Sequence, residues 1–210
     1  MDYFIFGLQR SGTNYLEQLV NQNFKGRRAN RANKCWKHSI DIPKGYNNQH
    51  PTLIIYKNPY TWVESICLRN TVDWLKTQKE YPAQEGPDEL RLGPNKINVE
   101  NLAKTYDHFH NTWLWSRSLS ENTYVMKYED LLITNSRERI LNNISHILPV
   151  RKTDQWVNPQ RGKISQSRDY NEDREHYYLS MKPKELTPIQ IEAINNVLGD
   201  RIIELGYDKL

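Results

Sequence analysis

The sequence predicts an α/β fold: a central, mostly parallel sheet flanked by helices. Short apolar runs, clearest at Thr52-Leu53-Ile54-Ile55-Tyr56, alternate with helical patterns along the chain. Gly and Pro punctuate those runs, and polar residues gather where the strands end. The 210 residues are expected to form one domain, 1–210, large enough to bury a core without disulfides.

Taken in order, residues 3–7 form a short buried strand, and a helix from Ser11 carries Tyr15, Leu16, Leu19 and Val20 on one face. Residues 26–33 are polar and basic, hence a loop, and Lys25–Arg31 is expected to be solvated. Lys34-Cys35-Trp36-Lys37-His38 is expected to form a short second strand, broken by Asp41-Ile42-Pro43-Lys44-Gly45. Thr52–Tyr56, bounded by Pro51 and Pro59, is the third strand. A helix from Tyr60 runs through Arg69.

Residues 77–97 hold Pro82, Gly86, Pro87, Gly93 and Pro94 among charged residues. They are expected to form a long mobile loop, and long loops in compact domains are often functional. An aromatic-rich helix over about 99–118 follows, with Leu102, Tyr106, Phe109, Trp113 and Leu114 packed inward. Thr123–Lys127 is another strand, and a helix spans about 136–147. Residues 151–183 are polar and irregular. A last helix runs from Thr187 or Pro188 to Leu205, with Thr187 as N-cap and Pro188 at its first position.

Composition narrows the function. The two cysteines, Cys35 and Cys67, make no disulfide framework and fit a reducing compartment as buried small hydrophobes. No charged and apolar leader and no ~18-residue apolar span is visible, so a soluble, cytoplasmic protein is expected. The net charge of +4 favours an anionic ligand. It is too dispersed to predict a nucleic-acid partner.

Polar chemistry clusters at four strand ends: the Arg10–Thr13 turn, His38, Lys57-Asn58-Pro59 and Tyr128-Glu129-Asp130. In a parallel α/β sheet these ends face one crevice. Gly7 and Gly12 have the spacing of a P-loop, whose main-chain amides cradle a phosphate at a helix N-terminus. Thr13 stands where the P-loop lysine belongs, so a triphosphate–magnesium arrangement is unsupported. Arg10 supplies a cation from within the loop, and Ser11, Thr13 and Asn14 offer polar groups. After the third strand, Lys57 and Ser65 lie eight residues apart, spaced to contact a second phosphate.

Together these segments resemble the sulfotransferases that use 3′-phosphoadenosine 5′-phosphosulfate, PAPS. Arg10-Ser11-Gly12-Thr13-Asn14-Tyr15 is similar to the family's 5′-phosphosulfate loop. Lys57-Asn58-Pro59 with Ser65 resembles its 3′-phosphate motif, with Lys57 in place of the usual arginine and without that side chain's fork. Tyr128-Glu129-Asp130-Leu131 resembles a further family motif, and Leu205-Gly206-Tyr207 is similar to the chain ends of bacterial members. Gln160-Arg161-Gly162-Lys163 echoes a later 3′-phosphate loop. The matches are islands in the right order across nearly the whole chain.

The resemblance implies a three-layer P-loop-NTPase-like fold and an enzyme. PAPS would be the co-substrate and 3′,5′-bisphosphoadenosine, PAP, the product, with no metal. It implies PAPS contacts from residues 10–15, Lys57, Ser65, Arg161, Gly162 and Lys163, with Tyr15 or Tyr128 near adenine. Histidine suits proton removal near neutral pH. The family's Lys-x-His base motif is matched, one residue tighter, by Lys37-His38. His38 is therefore the expected base, with Glu64 and Asp41 as carboxylate alternatives. Arg10 would neutralise charge on the leaving phosphate and Lys37 would assist at a sulfonate oxygen. The acceptor would be a small molecule or saccharide, with the 77–97 loop on its side and Trp74, Tyr81, Trp113 and Trp115 as candidate stacking groups. His50, His108, His110, His146 and His176 are assigned to surface or packing. Two other functions stay open: a degenerate P-loop nucleotide kinase or NTPase, and a non-catalytic nucleotide-binding module.

Overall fold

The computed structural model describes residues 1–30, 32–68, 81, 85–114, 121–159 and 177–210. Its centre is a parallel four-stranded sheet of β1 (Asp2–Phe6), β2 (Arg27–Arg28), β3 (Thr52–Tyr56) and β6 (Thr123–Lys127), in the order β2-β1-β3-β6. The registers pair Phe4 with Thr52, and Thr52 in turn with Thr123.

Side chains alternate across such a sheet, and the two faces receive different helices. Phe4, Phe6 and Ile54 pack with α2 (Pro59–Cys67), α3 (Val99–Trp113) and α5 (Pro188–Leu198). Tyr3, Ile5, Leu53 and Ile55 pack with α1 (Thr13–Asn23) and α4 (Thr134–Ile147). The expected α/β class, with a central parallel sheet flanked by helices, is therefore observed, and its layering is compatible with a P-loop-like arrangement.

Local chemistry sets the helix ends. Asn58 caps α2, its Oδ1 accepting the N–H groups of Tyr60 and Thr61, with Pro59 opening the helix. Asn98 caps α3 through the Asn101 N–H. Thr187 and Gln190 form a capping box on α5.

Several sequence expectations change. The second strand is not Lys34–His38, which is a turn region with Lys34 at φ 55°. It is Arg27–Arg28, inside the stretch expected to be a solvated loop. Buried Asn30 extends its pairing, because its side-chain amide bonds both the N–H and the carbonyl of Ile5. The amide thus imitates a neighbouring strand where the backbone turns away.

The described part of 77–97 is not a bare loop. It contains a 3-10 turn at Asp88–Leu90 and an antiparallel ribbon of β4 (Arg91–Leu92) and β5 (Ile97–Asn98). In 151–183, residues 177–180 form a helical turn. The last helix breaks at Gly199 (φ 54°) before α6 (Arg201–Glu204). Among the described residues, no helix is long and apolar enough to cross a membrane.

Candidate functional site

β1 is followed in sequence by β2 on one side and flanked by β3 on the other. The order reverses between β1 and β3. In open α/β sheets ligands bind beyond the carboxyl ends of the strands at this point. The loops after β1 and β3 carry two of the motifs singled out in the sequence.

After β1 the chain passes so close to β3 that a Cβ on Gly7 would lie 2.5 Å from the Ile55 carbonyl oxygen. Ser11 is buried and donates through Oγ to the Leu8 carbonyl at 2.6 Å, while its N–H bonds the same oxygen. The Ser11 hydroxyl therefore braces the turn. Arg10 is exposed with φ 71°, and Gly12 has φ 93° at the N-cap of α1. No side chain caps this helix among the described residues. Trp62 of α2 fixes the loop from below, donating from Nε1 to the Gln9 carbonyl at 2.8 Å. Thr13 is buried, and Asn14 accepts a hydrogen bond from Lys37. The result is a helix N-terminus with glycine at its entrance, a geometry that presents amide dipoles to an anion.

After β3, Lys57 is only 1% exposed. Its ammonium donates to Ser65 Oγ at 2.7 Å and to the Thr61 carbonyl at 3.1 Å. Ser65 Oγ in turn donates to the Thr61 carbonyl at 2.6 Å. The face of Tyr178 lies 4.0 Å from the Lys57 ammonium. The cation and hydroxyl picked out by their spacing therefore meet across the first turns of α2.

His38 stands beside the first loop. Its Nδ1 lies 2.8 Å from the Gly7 carbonyl oxygen, which only accepts. The proton is thereby assigned to Nδ1, and Nε2 carries the lone pair. Burial lowers the His38 pKa to about 4, against the raising effect of the Gly7 carbonyl and helped downward by Lys37 and Arg28. The ring is neutral at pH 7. Lys37 bonds Asn14 and lies 3.3 Å from Glu17, tying this turn to α1. Exposed Trp36 meets the His38 ring edge-on at 5.5 Å.

Tyr128, after β6, closes the loop from above. A Cβ on Gly12 would fall 2.2 Å from its ring. The ring also meets Tyr15 at 6.4 Å and Tyr178 at 5.4 Å, edge-on in both cases. Tyr15 donates its hydroxyl to Asn158 at 2.9 Å.

Both carboxylate alternatives are hydrogen-bonded within the fold. Glu64 is buried and accepts the Tyr177 hydroxyl and the N–H groups of Lys184 (2.7 Å) and Glu185 (2.5 Å). Burial raises its pKa, opposed by those two amides. This set of donors fastens residues 177–185 to α2. Exposed Asp41 bonds His108, at 2.8 Å. Trp113 is core, stacked 4.1 Å from Phe6, and Tyr81 lies against His108. Trp74, Trp115, His176, Arg161, Gly162 and Lys163 lie outside the described residues.

Tyr177 and Tyr178 escaped the sequence reading. Their adjacency to Glu64 and Lys57, more than a hundred positions away, leaves no local signal. A groove of about 500 Å³ lined by Glu17, Asn21, Gly26, Arg27, Arg28 and Ala32 runs along the β2 edge. Its arginines are engaged with Asp2 and Glu17, so it lacks the character of the strand-end site. No protein-family model, curated protein or solved structure matches this chain.

Proposed function

We propose that this chain is a sulfotransferase, moving a sulfonate group from PAPS to a hydroxyl or amine of a small-molecule or saccharide acceptor in the cytoplasm. The observation that carries the reading is the buried Lys57 ammonium, 2.7 Å from Ser65 Oγ, beside a lysine-free glycine loop. PAPS differs from ATP in having a 3′-phosphate and only two groups at the 5′ position. It calls for one anion subsite at the 5′ loop and a second one apart from it. The Gly12 helix entrance suits the first, and Lys57 with Ser65 suits the second.

Bound PAPS would supply an electrophilic sulfur and leave as PAP. His38 Nε2 accepts the acceptor proton as the acceptor oxygen or nitrogen bonds sulfur and the sulfur–oxygen bond to the phosphate breaks. Its Nδ1–H stays on the Gly7 carbonyl, so the imidazole is held in the tautomer that this step needs. Arg10, exposed in the loop, would supply a guanidinium to the charge that grows on the departing phosphate. Lys37 assists at a sulfonate oxygen, and its bond to Asn14 keeps it at the start of α1. The loop amides bind the 5′-phosphate, Lys57 and Ser65 the 3′-phosphate, and Tyr15 or Tyr128 borders the adenine.

A thermal-shift comparison of PAP, AMP and ATP–magnesium tests the reading. Selective stabilisation by PAP is expected, because a ligand that binds only the folded state raises its melting temperature. Preference for ATP–magnesium would point to a nucleotide kinase or NTPase instead.

A further inference from the structure

The peptide joining Lys57 to Asn58 is held at both of its polar atoms by side chains from elsewhere in the fold. Its carbonyl, that of Lys57, accepts the Tyr106 hydroxyl at 2.6 Å. Its N–H, that of Asn58, donates to Glu129 Oε1 at 2.9 Å. The other carboxylate oxygen of Glu129 accepts the Tyr207 hydroxyl at 2.9 Å. Asn58, Glu129 and Tyr207 are all buried, so none of these groups can exchange its partner for water without opening the core.

Tyr207 is itself fixed from several sides. Its N–H bonds the Ile202 carbonyl at 3.0 Å. The preceding carbonyls, of Leu205 and Gly206, accept from the Tyr56 hydroxyl and the Lys127 ammonium. Gly206 takes φ 77°, and a Cβ there would fall 2.4 Å from the Lys127 nitrogen. The chain's last turn is thereby wired to the ends of β3 and β6. Burial raises the Glu129 pKa, while the Asn58 N–H, Lys57 and Tyr207 favour its ionised form. That form presents both of its oxygens as acceptors with no proton of its own to place.

We propose that Glu129 and Tyr207 are positioning residues for Lys57: Tyr207 orients the Glu129 carboxylate, which fixes the Lys57–Asn58 peptide and so aims the ammonium at Ser65 Oγ. This rests on the reading of Lys57 and Ser65 as the 3′-phosphate subsite. A peptide free to rotate would let the lysine stem swing away from Ser65. The 5′ loop, bound to Trp62 rather than to Glu129, would keep its place.

The test is calorimetric titration of PAP and of AMP into the full chain and into Tyr207→Phe, with the Asn58 amide followed by NMR. Tyr207→Phe should weaken PAP roughly three- to ten-fold, the effect of one lost hydrogen bond. It should leave AMP binding unchanged and move the Asn58 amide resonance. Thr187→Ala, which removes the N-cap of α5 and no member of this chain of bonds, should leave the ratio of the two affinities as it was. If Tyr207→Phe does not fold, Glu129→Met, which removes both acceptor oxygens, is measured in the same way with the same expectation. A PAP preference that survives the substitution, or equal weakening of both nucleotides, overturns the positioning role. An unmodified chain that binds PAP and AMP equally overturns the function reading, and this role with it.

Discussion

The ammonium of Lys57 and the hydroxyl of Ser65 lie 2.7 Å apart at the start of α2, with the lysine almost wholly buried. Burying a long cationic side chain opposes folding unless it is compensated. Here the compensation comes from a hydroxyl, the Thr61 carbonyl and the face of Tyr178. Ser65→Ala removes one acceptor of the ammonium and the hydroxyl that donates to the Thr61 carbonyl. It should weaken PAP binding roughly three- to ten-fold and leave AMP binding unchanged in parallel titrations.

The Gly7 carbonyl fixes the His38 tautomer, and this gives a pH prediction with a definite sign. The folded-state pKa, about 4, lies below the 6.5 of an unperturbed imidazole. Between those values the unfolded chain binds the proton and the folded chain does not. His38 therefore costs stability as pH falls from about 6.5 toward 4, with a flat response outside that window. Buried His110, lowered to about 3, acts in the same direction. Urea unfolding of the unmodified chain should lose stability across this range, and His38→Asn should lose less.

His38→Ala should abolish transfer and leave PAP binding intact. His38 stays neutral through the physiological range, so with His38 as the proposed base the transfer rate should be level from pH 7 to about 5 and fall below that. Turnover by His38→Ala at the unmodified rate would remove His38 from the mechanism.

Gly12 sits at φ 93° with the Tyr128 ring against its Cα. Gly12→Ala meets both an unfavourable backbone conformation and a side chain 2.2 Å away. It should destabilise the protein by more than about 1 kcal/mol and weaken AMP and PAP together, since the 5′ loop itself is displaced. Thermal melts and titrations of the variant check both effects.

Glu64 holds residues 177–185 against α2 through the Tyr177 hydroxyl and two main-chain amides. Glu64→Ala leaves those donors without their acceptor. Hydrogen exchange at Lys184 and Glu185 should accelerate, and Tyr178 should no longer be kept over Lys57. Unchanged exchange at these amides would contradict the fastening role.

The parts of this architecture that the sequence discloses are those set by local composition. Thr52–Tyr56 is apolar because both sheet faces bury it, and Asn58-Pro59 and Thr187-Pro188 start helices by their own chemistry. Arg27–Arg28 looked like a loop because a two-residue edge strand carries no alternation. Its pairing is defined by Asp2 and Tyr3 and prolonged by an asparagine side chain. Lys57 and Ser65 were legible because both lie on one strand–helix junction. The partners that hold them, Glu129, Tyr207 and Tyr178, arrive from distant segments through tertiary packing. Glu64, a candidate base in the sequence, gains from the fold alone its bonds to Tyr177, Lys184 and Glu185.

The central claim, that Lys57 and Ser65 form a 3′-phosphate subsite beside a 5′ loop, is tested most directly by titrating PAP and AMP into the unmodified chain and into Lys57→Met. The unmodified chain should bind PAP more tightly than AMP, and Lys57→Met should lose that preference with AMP affinity retained. Equal affinity of the unmodified chain for the two nucleotides would contradict it.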